Sequence, residues 1–75
     1  MERVYENIRT LRNLFKYTQK YVAIELDIDQ SYYSRLERGL VDIPLSILIK
    51  ISAFYKVTVE KLIHDDLANS SKQML

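Results

Sequence analysis

Residues 19–38 read QKYVAIELDIDQSYYSRLER and are followed by Gly39. The first half predicts a short helix whose inward face is formed by Val22, Ala23 and Leu26. The segment Asp27-Ile28-Asp29 predicts a turn in which Ile28 reaches the core and Asp29 caps a second helix. Gly39 predicts where that helix stops, because glycine adopts left-handed dihedrals freely. This stretch therefore predicts two short helices joined by a tight turn.

The second of these helices, residues 30–38, divides into two faces. At about 100° per residue, its polar side chains share an arc of roughly 140°. They are Gln30, Ser31, Ser34, Arg35 and Arg38. Tyr32, Tyr33 and Leu36 lie on the opposite side, which predicts that they face the core. A helix with a polar, basic outer face, braced across a second helix, can enter the major groove of duplex DNA.

The flanking sequence predicts three more helices. A helix over residues 2–16 carries an apolar stripe of Val4, Ile8, Leu11 and Phe15, and Thr18 is expected to cap the helix after it. Another starts near residues 42–44 and ends near Tyr55, and Thr58 caps a short fifth helix. Residues 1–64 are thus expected to form one domain, with the two-helix motif over residues 18–39. Residues 65–75 are expected to be a flexible tail.

The fourth predicted helix has more apolar residues than one face can hold. Its expected inward stripe is Leu45, Leu48, Ser52 and Tyr55, extended by Ile51. Ile47, Ile49 and Phe54 then fall on other faces. Since a chain of this size buries only about 60% of its unfolded surface, a leftover apolar patch that includes Leu40, Val41 or Ile63 would indicate a dimer surface.

Composition excludes several kinds of site. The 75 residues include no cysteine and one histidine, so a disulfide framework and a thiolate metal site are ruled out. His64, followed by Asp65 and Asp66, is interpreted as solvated and not as a metal ligand. No nucleophile has a recognisable base and orienting partner, and no glycine-rich phosphate loop is present, so neither enzymatic activity nor a cofactor is expected. The apolar segments are too short and too interrupted to span a membrane, and no signal peptide is visible.

The chain resembles the Cro and phage-repressor type of helix-turn-helix, also called XRE-like, over about residues 8–63. The matching residues are Thr18-Gln19, Val22-Ala23, Leu26, Ile28, Gln30-Ser31, Ser34 to Gly39, Leu48, Ile51, Val57 and Leu62. The resemblance implies an all-α fold, a compact five-helix lambda-repressor-like domain in which the third helix enters the major groove. It also implies that Ala23 lies where the two motif helices cross closely.

The resemblance implies roles for individual residues. Base edges would be read by Gln30, Ser31 and Arg35, with Gln30 suited to adenine and Arg35 to guanine. Phosphate contact or positioning would fall to Thr18, Gln19, Lys20, Tyr32, Ser34 and Arg38. Gln19 would bond a phosphate and brace Gln30. Tyr32 is equally compatible with covering the edge of the core. Arg12 and Glu37 would form an internal ion pair that ties helix one to helix three, which agrees with their places at the edges of apolar stripes.

Four residues depart from the family pattern. Asp27 stands where a turn glycine is usual, although it tolerates left-handed dihedrals less easily. Tyr33 occupies a position that is normally aliphatic. Leu40 and Val41 stand where many relatives have basic residues that bind phosphate. Together with the negative charge of Asp27 and Asp29, these departures predict fewer phosphate contacts and weaker non-specific binding.

The function predicted from the sequence is a sequence-specific, double-stranded DNA-binding transcriptional regulator, most simply a repressor. Its expected partners are duplex DNA and a second copy of the chain, at least on DNA, and it is expected to be cytoplasmic without membrane association. The alternative is a protein-interaction module of the same fold, an antitoxin or anti-repressor partner that binds through the apolar surface around Leu40, Val41 and helix four.

Overall fold

The computed structural model describes residues 2–69, with Glu2 described by its backbone alone. The helices are α1 (Glu2–Leu14), α2 (Gln19–Leu26), α3 (Gln30–Glu37), α4 (Leu45–Tyr55) and α5 (Val59–His64). Helical backbone resumes at residues 67–69, and no strand occurs between residues 2 and 69. The predicted all-α fold class is confirmed.

Side-chain caps start three of the helices where the sequence predicts. The Thr18 hydroxyl oxygen accepts a hydrogen bond from the Tyr21 N–H at 3.0 Å, and the Thr58 hydroxyl oxygen accepts one from the Lys61 N–H at 3.0 Å. Asp29 accepts from the Ser31 N–H at 3.2 Å. Each cap satisfies one of the free N–H groups at a helix N-terminus. The helix starts at Gln19, Gln30 and Val59 therefore follow from local chemistry.

Left-handed residues end the helices or connect them. Asp27 follows α2 with φ 57°, and Lys56 follows α4 with φ 56°. Lys16, in the connection after α1, has φ 58°, and Gly39 after α3 has φ 72°. The helix predicted over residues 2–16 therefore ends at Leu14, because a helix cannot continue through left-handed backbone. Phe15, predicted to extend the inward stripe of α1, is displaced from it and is 48% exposed.

The core lies between all five helices. Its buried apolar side chains are Val4, Ile8, Leu11, Val22, Ala23, Leu26, Tyr33, Leu36, Ile43, Ile47, Leu48, Ile51, Tyr55 and Leu62. α1 packs against α5 and α3, while α2 packs against α3 and α4. This arrangement holds α2 and α3 side by side at one edge of the domain.

The buried face of α4 differs from the predicted one. Leu45, expected inside, is 66% exposed, whereas Ile47, expected outside, is buried. The buried residues of α4 are Ile47, Leu48, Ile51 and Tyr55, which centre on a direction about 60° from the predicted stripe. Because α4 has apolar residues on nearly every side, the hydrophobic pattern alone could not select its inward face.

Residues 65–67 contact α1. The amide nitrogen of the buried Asn7 donates to the carbonyl oxygens of Leu62, at 2.8 Å, and Asp65, at 2.7 Å. The Asn7 amide oxygen accepts from the Leu67 N–H at 3.2 Å. Arg3 forms an ion pair with Asp66 at 3.4 Å. The expected tail boundary at residue 65 stays a prediction, and residues 70–75 lie outside the described residues.

Within residues 2–69, no helix is both long and apolar enough to cross a membrane. The same part of the chain contains no group of three or more His, Cys, Asp and Glu side chains that could hold a metal ion.

Candidate DNA interface

The inner face of α3 is fixed by complete burial. Tyr33, Leu36 and Glu37 are all buried, and Ala23 of α2 is buried too. The side chains of Ala23 and Tyr33 both belong to the buried core that lies between α2, α3 and the other helices. Tyr33 therefore fills the core at the position where an aliphatic residue was expected, and it does so without exposure.

The outer face of α3 is accessible to solvent. Gln30, Ser31, Arg35 and Arg38 are exposed, and Ser34 is half-buried. The three residues predicted to read bases thus share an accessible helix face. An exposed polar face on a helix that is rigidly held at its back is the geometry that major-groove readers use.

An ion pair buried at the end of α3 ties that helix to α1. Arg12 Nε donates to Glu37 Oε2 at 2.7 Å, and Arg12 Nη2 donates to Glu37 Oε1 at 2.9 Å. This two-point contact is the strong fork geometry of arginine with a carboxylate. Arg12 Nη1 also donates to the Tyr17 carbonyl oxygen at 2.9 Å. Glu37 is only 1% exposed, so its charge depends on these partners.

Gln19 joins the same cluster from the first turn of α2. Its Nε2 donates to Glu37 Oε1 at 3.3 Å. The cluster thus connects α1, α2 and α3 through one carboxylate. No hydrogen bond between Gln19 and Gln30 is found within the described part of the chain, and the predicted bracing of Gln30 by Gln19 stays a prediction.

Titratable side chains in and around this cluster have shifted pKa values: Glu37, Arg12, Tyr33 and Tyr55. Burial acts to raise the pKa of Glu37, but the hydrogen bonds from Arg12 and Gln19 outweigh it and hold that pKa below its usual value. The hydrogen bond to Glu37 raises the pKa of Arg12. Burial first and the nearby Glu37 carboxylate second raise the pKa of Tyr33 and of Tyr55. The Tyr33 and Tyr55 hydroxyls, both buried, have no hydrogen-bond partner of regular geometry among the described residues.

Asp29 and Ser31 form a second polar pair at the N-terminus of α3. Asp29 Oδ2 accepts from the Ser31 N–H and also from the Ser31 hydroxyl. The hydroxyl hydrogen bond is the largest cause that lowers the pKa of Asp29, and the backbone bond adds to it. Asp29 is exposed. An anionic acceptor thus lies beside a residue that is predicted to read a base.

The residues predicted to contact phosphate differ in how exposed they are to solvent. Thr18 and Lys20 are exposed, and Arg38 Nε donates to the Ser34 carbonyl oxygen at 3.4 Å. Tyr32 is half-buried and packs against the core, as in the core-edge alternative. Its contact with phosphate stays a prediction, as do the contacts of the other phosphate candidates.

Two cations outside the predicted site residues support the motif. Arg9 Nη1 donates to the Glu37 carbonyl oxygen at 2.8 Å, and Lys50 Nζ donates to the Leu26 carbonyl oxygen at 3.2 Å. Each satisfies a carbonyl at the C-terminal end of a motif helix, α3 and α2 respectively, where a cation is also favoured by the helix dipole. No sequence pattern indicated either contact, because both depend on how distant helices pack.

Apolar side chains are exposed near α4. Leu45 and Ile49 lie one turn apart on the same face of α4, and they are 66% and 52% exposed. Leu40, in the connection before α4, is also exposed, while Val41 is half-buried. We refer to Leu40, Leu45 and Ile49 as the α4 patch. Exposed apolar side chains of this size mark a binding surface only where they are contiguous.

Comparisons with known proteins agree with this geometry. The helix-turn-helix family is matched over residues 8–62. Control protein C.MunI of Mycoplasma sp. is 38% identical over 48 residues, which are 64% of this chain, and the chain spans 65% of the length of that relative. The N-terminal DNA binding domain of SinR from Bacillus subtilis superposes with a TM-score of 0.79 at 26% identity, over 87% of this chain and 96% of that domain. These matches confirm the resemblance predicted from the sequence. They also agree with the prediction that the chain is not an enzyme.

Proposed function

The chain belongs to the helix-turn-helix family of the XRE type, and from that premise we propose that it is a sequence-specific, double-stranded DNA-binding transcriptional regulator. Its simplest mode of action is repression, in which the bound protein occludes a promoter. α3 enters the major groove, where Gln30, Ser31 and Arg35 contact base edges. A relative named as a control protein and another named as a DNA binding domain support this function.

The exposed polar face of α3 is the observation that carries the proposal. Gln30, Ser31 and Arg35 are exposed together on one face, while the back of the same helix is buried and tied to α1 through Glu37. Base readout needs side chains whose helix has a fixed position, because hydrogen bonds to base edges are sensitive to distance. Arg35 suits guanine O6 and N7, and Gln30 suits adenine N6 and N7.

Phosphate contacts set the register of α3 in the groove. The proposed contacts are Thr18, Gln19 and Lys20 around the start of α2, Tyr32 and Ser34 on α3, and Arg38 directly after α3. Leu40 and Val41 add no positive charge after α3, and Asp27 and Asp29 are negative and exposed. We therefore expect fewer phosphate contacts than a helix-turn-helix protein with a basic loop makes, and a shallower dependence of affinity on salt.

The α4 patch supports a homodimer on DNA. Two copies would place their α3 helices in half-sites one turn of DNA apart, about 34 Å. The operator is then an inverted repeat, because a two-fold symmetric protein reads a two-fold symmetric site. A regulator of this kind acts where the DNA is, which for a bacterial or phage protein is the cytoplasm.

Selection of bound duplexes from a random DNA pool at physiological salt tests the proposal. We expect an enriched inverted repeat with roughly one-turn spacing. The variant Arg35→Ala should bind the selected site more weakly, by ~1–3 kcal/mol, and lose preference at one base position. Lys61→Ala removes an equally exposed positive charge from α5 and serves as the matched control. Absence of any enriched sequence with folded protein would refute the proposed function.

The exposed α4 patch favours one other function, a protein-interaction module such as an antitoxin or anti-repressor partner. Affinity for heparin and for duplex DNA at increasing salt separates the two. A fall in affinity as salt rises indicates DNA binding, even where it is shallower than for a protein with a basic loop, because displaced counterions drive that association. Weak binding to both polyanions, together with tight association of the protein with a protein partner, would favour the interaction module.

A further inference from the structure

The hydroxyl of Ser31 has only one proton, and in the structure that proton is donated to the carboxylate of Asp29. A serine hydroxyl can donate one hydrogen bond and can accept through two lone pairs. The Ser31 hydroxyl donates to Asp29 Oδ2, which also accepts from the Ser31 backbone N–H at 3.2 Å. With its proton committed to Asp29, the hydroxyl offers only lone pairs to anything that approaches the outer face of α3.

Asp29 is well suited to keep that proton. Hydrogen bonds to an ionised carboxylate are about twice as strong as bonds between neutral groups. Turning the hydroxyl toward a carbonyl oxygen of a base would therefore exchange a stronger hydrogen bond for a weaker one. Asp29 is also the N-cap of α3, so its position relative to Ser31 is fixed by the start of the helix. The low pKa of Asp29 keeps it ionised at neutral pH.

The major groove distinguishes donors from acceptors at every base pair. Adenine presents an amino group at N6 and cytosine presents one at N4, whereas guanine O6 and thymine O4 only accept. A hydroxyl that can only accept is attracted to an amino group and repelled by a carbonyl oxygen. The negative charge of Asp29 beside it acts in the same direction.

We propose that Ser31 reads an exocyclic amino group, of adenine or cytosine, because Asp29 holds its hydroxyl proton. This inference rests on the proposed function, since it requires α3 to lie in the major groove. It makes Ser31 a residue that specifies one base position and Asp29 a positioning residue that sets which way the Ser31 hydrogen bond runs. The acidic cap Asp29 thereby acquires a role in specificity.

The test is selection of bound duplexes with the wild type and three variants. Ser31→Ala removes the hydroxyl and identifies the base position that depends on it. In the wild type, we expect that position to favour A or C on one strand over G or T by about 5- to 10-fold, near the low end of the effect of a single mismatch. Ser31→Thr keeps the hydroxyl and should keep this preference.

Asp29→Asn tests the hydrogen bond of Asp29 to the Ser31 hydroxyl without removing the helix cap. Asparagine caps helices as well as aspartate does, but its neutral oxygen binds the hydroxyl proton less strongly. We expect the preference at the Ser31 position to shrink below about 3-fold, while preferences at the other positions persist. Circular dichroism of each variant confirms that its helix content is retained.

The outcomes can be told apart. A preference for G or T at the Ser31-dependent position of the wild type would show that the hydroxyl donates, and the inference would be wrong. An unchanged preference in Asp29→Asn, or no position that responds to Ser31→Ala, would also overturn it while leaving sequence-specific binding intact. If the wild type enriches no sequence, the proposed function itself fails and this inference fails with it.

Discussion

Replacement of Glu37 by alanine tests how the domain holds its third helix. The wild-type carboxylate is 1% exposed and accepts hydrogen bonds from Arg12 Nε at 2.7 Å, Arg12 Nη2 at 2.9 Å and Gln19 Nε2 at 3.3 Å. Alanine removes all three bonds and leaves the Arg12 charge without its counterion. The side chain of Arg12 is only 16% exposed, so water can replace the carboxylate only in part.

The expected loss of stability is large for a chain of this size. Breaking a buried ion pair by removing one partner costs roughly 3–5 kcal/mol. Arg12 keeps some access to solvent and its bond to the Tyr17 carbonyl, so we expect a value near the lower end, about 3 kcal/mol. At ~0.05–0.15 kcal/mol per residue, the whole domain is stable by roughly 4–11 kcal/mol. The substitution would therefore remove a quarter or more of the free energy of unfolding.

Thermal unfolding followed by circular dichroism measures the effect. For a domain of this length, 1 kcal/mol corresponds to a change in Tm of roughly 4–8 °C, so Glu37→Ala should lower the Tm by at least ~12 °C. Glu6→Ala removes an exposed carboxylate from α1 and should stay within about 0.5 kcal/mol of the wild type. If the two variants melt within a few degrees of each other, the ion pair does not hold α3 and the reasoning is refuted.

Four further predictions follow from single contacts. The folded-state pKa of Glu37 is depressed, so the stabilising contribution of its charge is present above about pH 4.5 and is lost as the pH falls through the folded pKa. The difference in Tm between the wild type and Glu37→Gln should therefore shrink from pH 6 to pH 3. Tyr55→Phe removes a buried hydroxyl that has no partner among the described residues and should raise the free energy of unfolding in urea by ~1 kcal/mol, whereas a loss of stability would indicate an unrecognised partner. Lys56→Gly places glycine at a backbone position with left-handed dihedrals and should raise the free energy of unfolding by about 0.5–1 kcal/mol. No increase would mean that the lysine side chain contributes packing. Arg38→Ala should weaken binding to all duplexes equally and reduce the slope of log affinity against log salt by about one, while a change in base preference would assign Arg38 to readout instead.

Local chemistry made the helix-turn-helix predictable from the sequence. Thr18, Asp29 and Thr58 each cap a helix through the hydrogen bond that their side chains favour. Capping depends on neighbours two or three residues away, so the sequence contains all the information it needs. The two faces of α3 were predictable for a similar reason, because its polar and apolar residues separate cleanly by angle.

Features that depend on distant packing were not predictable in this way. α4, with the sequence LSILIKISAFY, has apolar residues on nearly every side, so its inward face was decided by its packing against α2 and α5. The end of α1 was placed too late because Lys16 takes a left-handed conformation without the glycine that normally signals one. The contact of Arg9 with the Glu37 carbonyl oxygen joins residues 28 positions apart, and no local pattern indicates it.

Under the proposed function, the two faces of α3 separate stability from specificity along one eight-residue helix. Gln30 and Arg35 are exposed and lie outside the buried core, so exchanging them should change base preference with little effect on folding. Glu37 is buried two residues after Arg35, and replacing it should lower the stability of the fold instead of changing base preference. The two properties meet at Asp29, which caps α3 and also holds the Ser31 hydroxyl proton. If α3 reads bases as proposed, changes at the exposed positions should retarget the domain to another operator without unfolding it. A change at Asp29 that also removes the cap, such as Asp29→Ala, should alter the start of the helix and the base preference together.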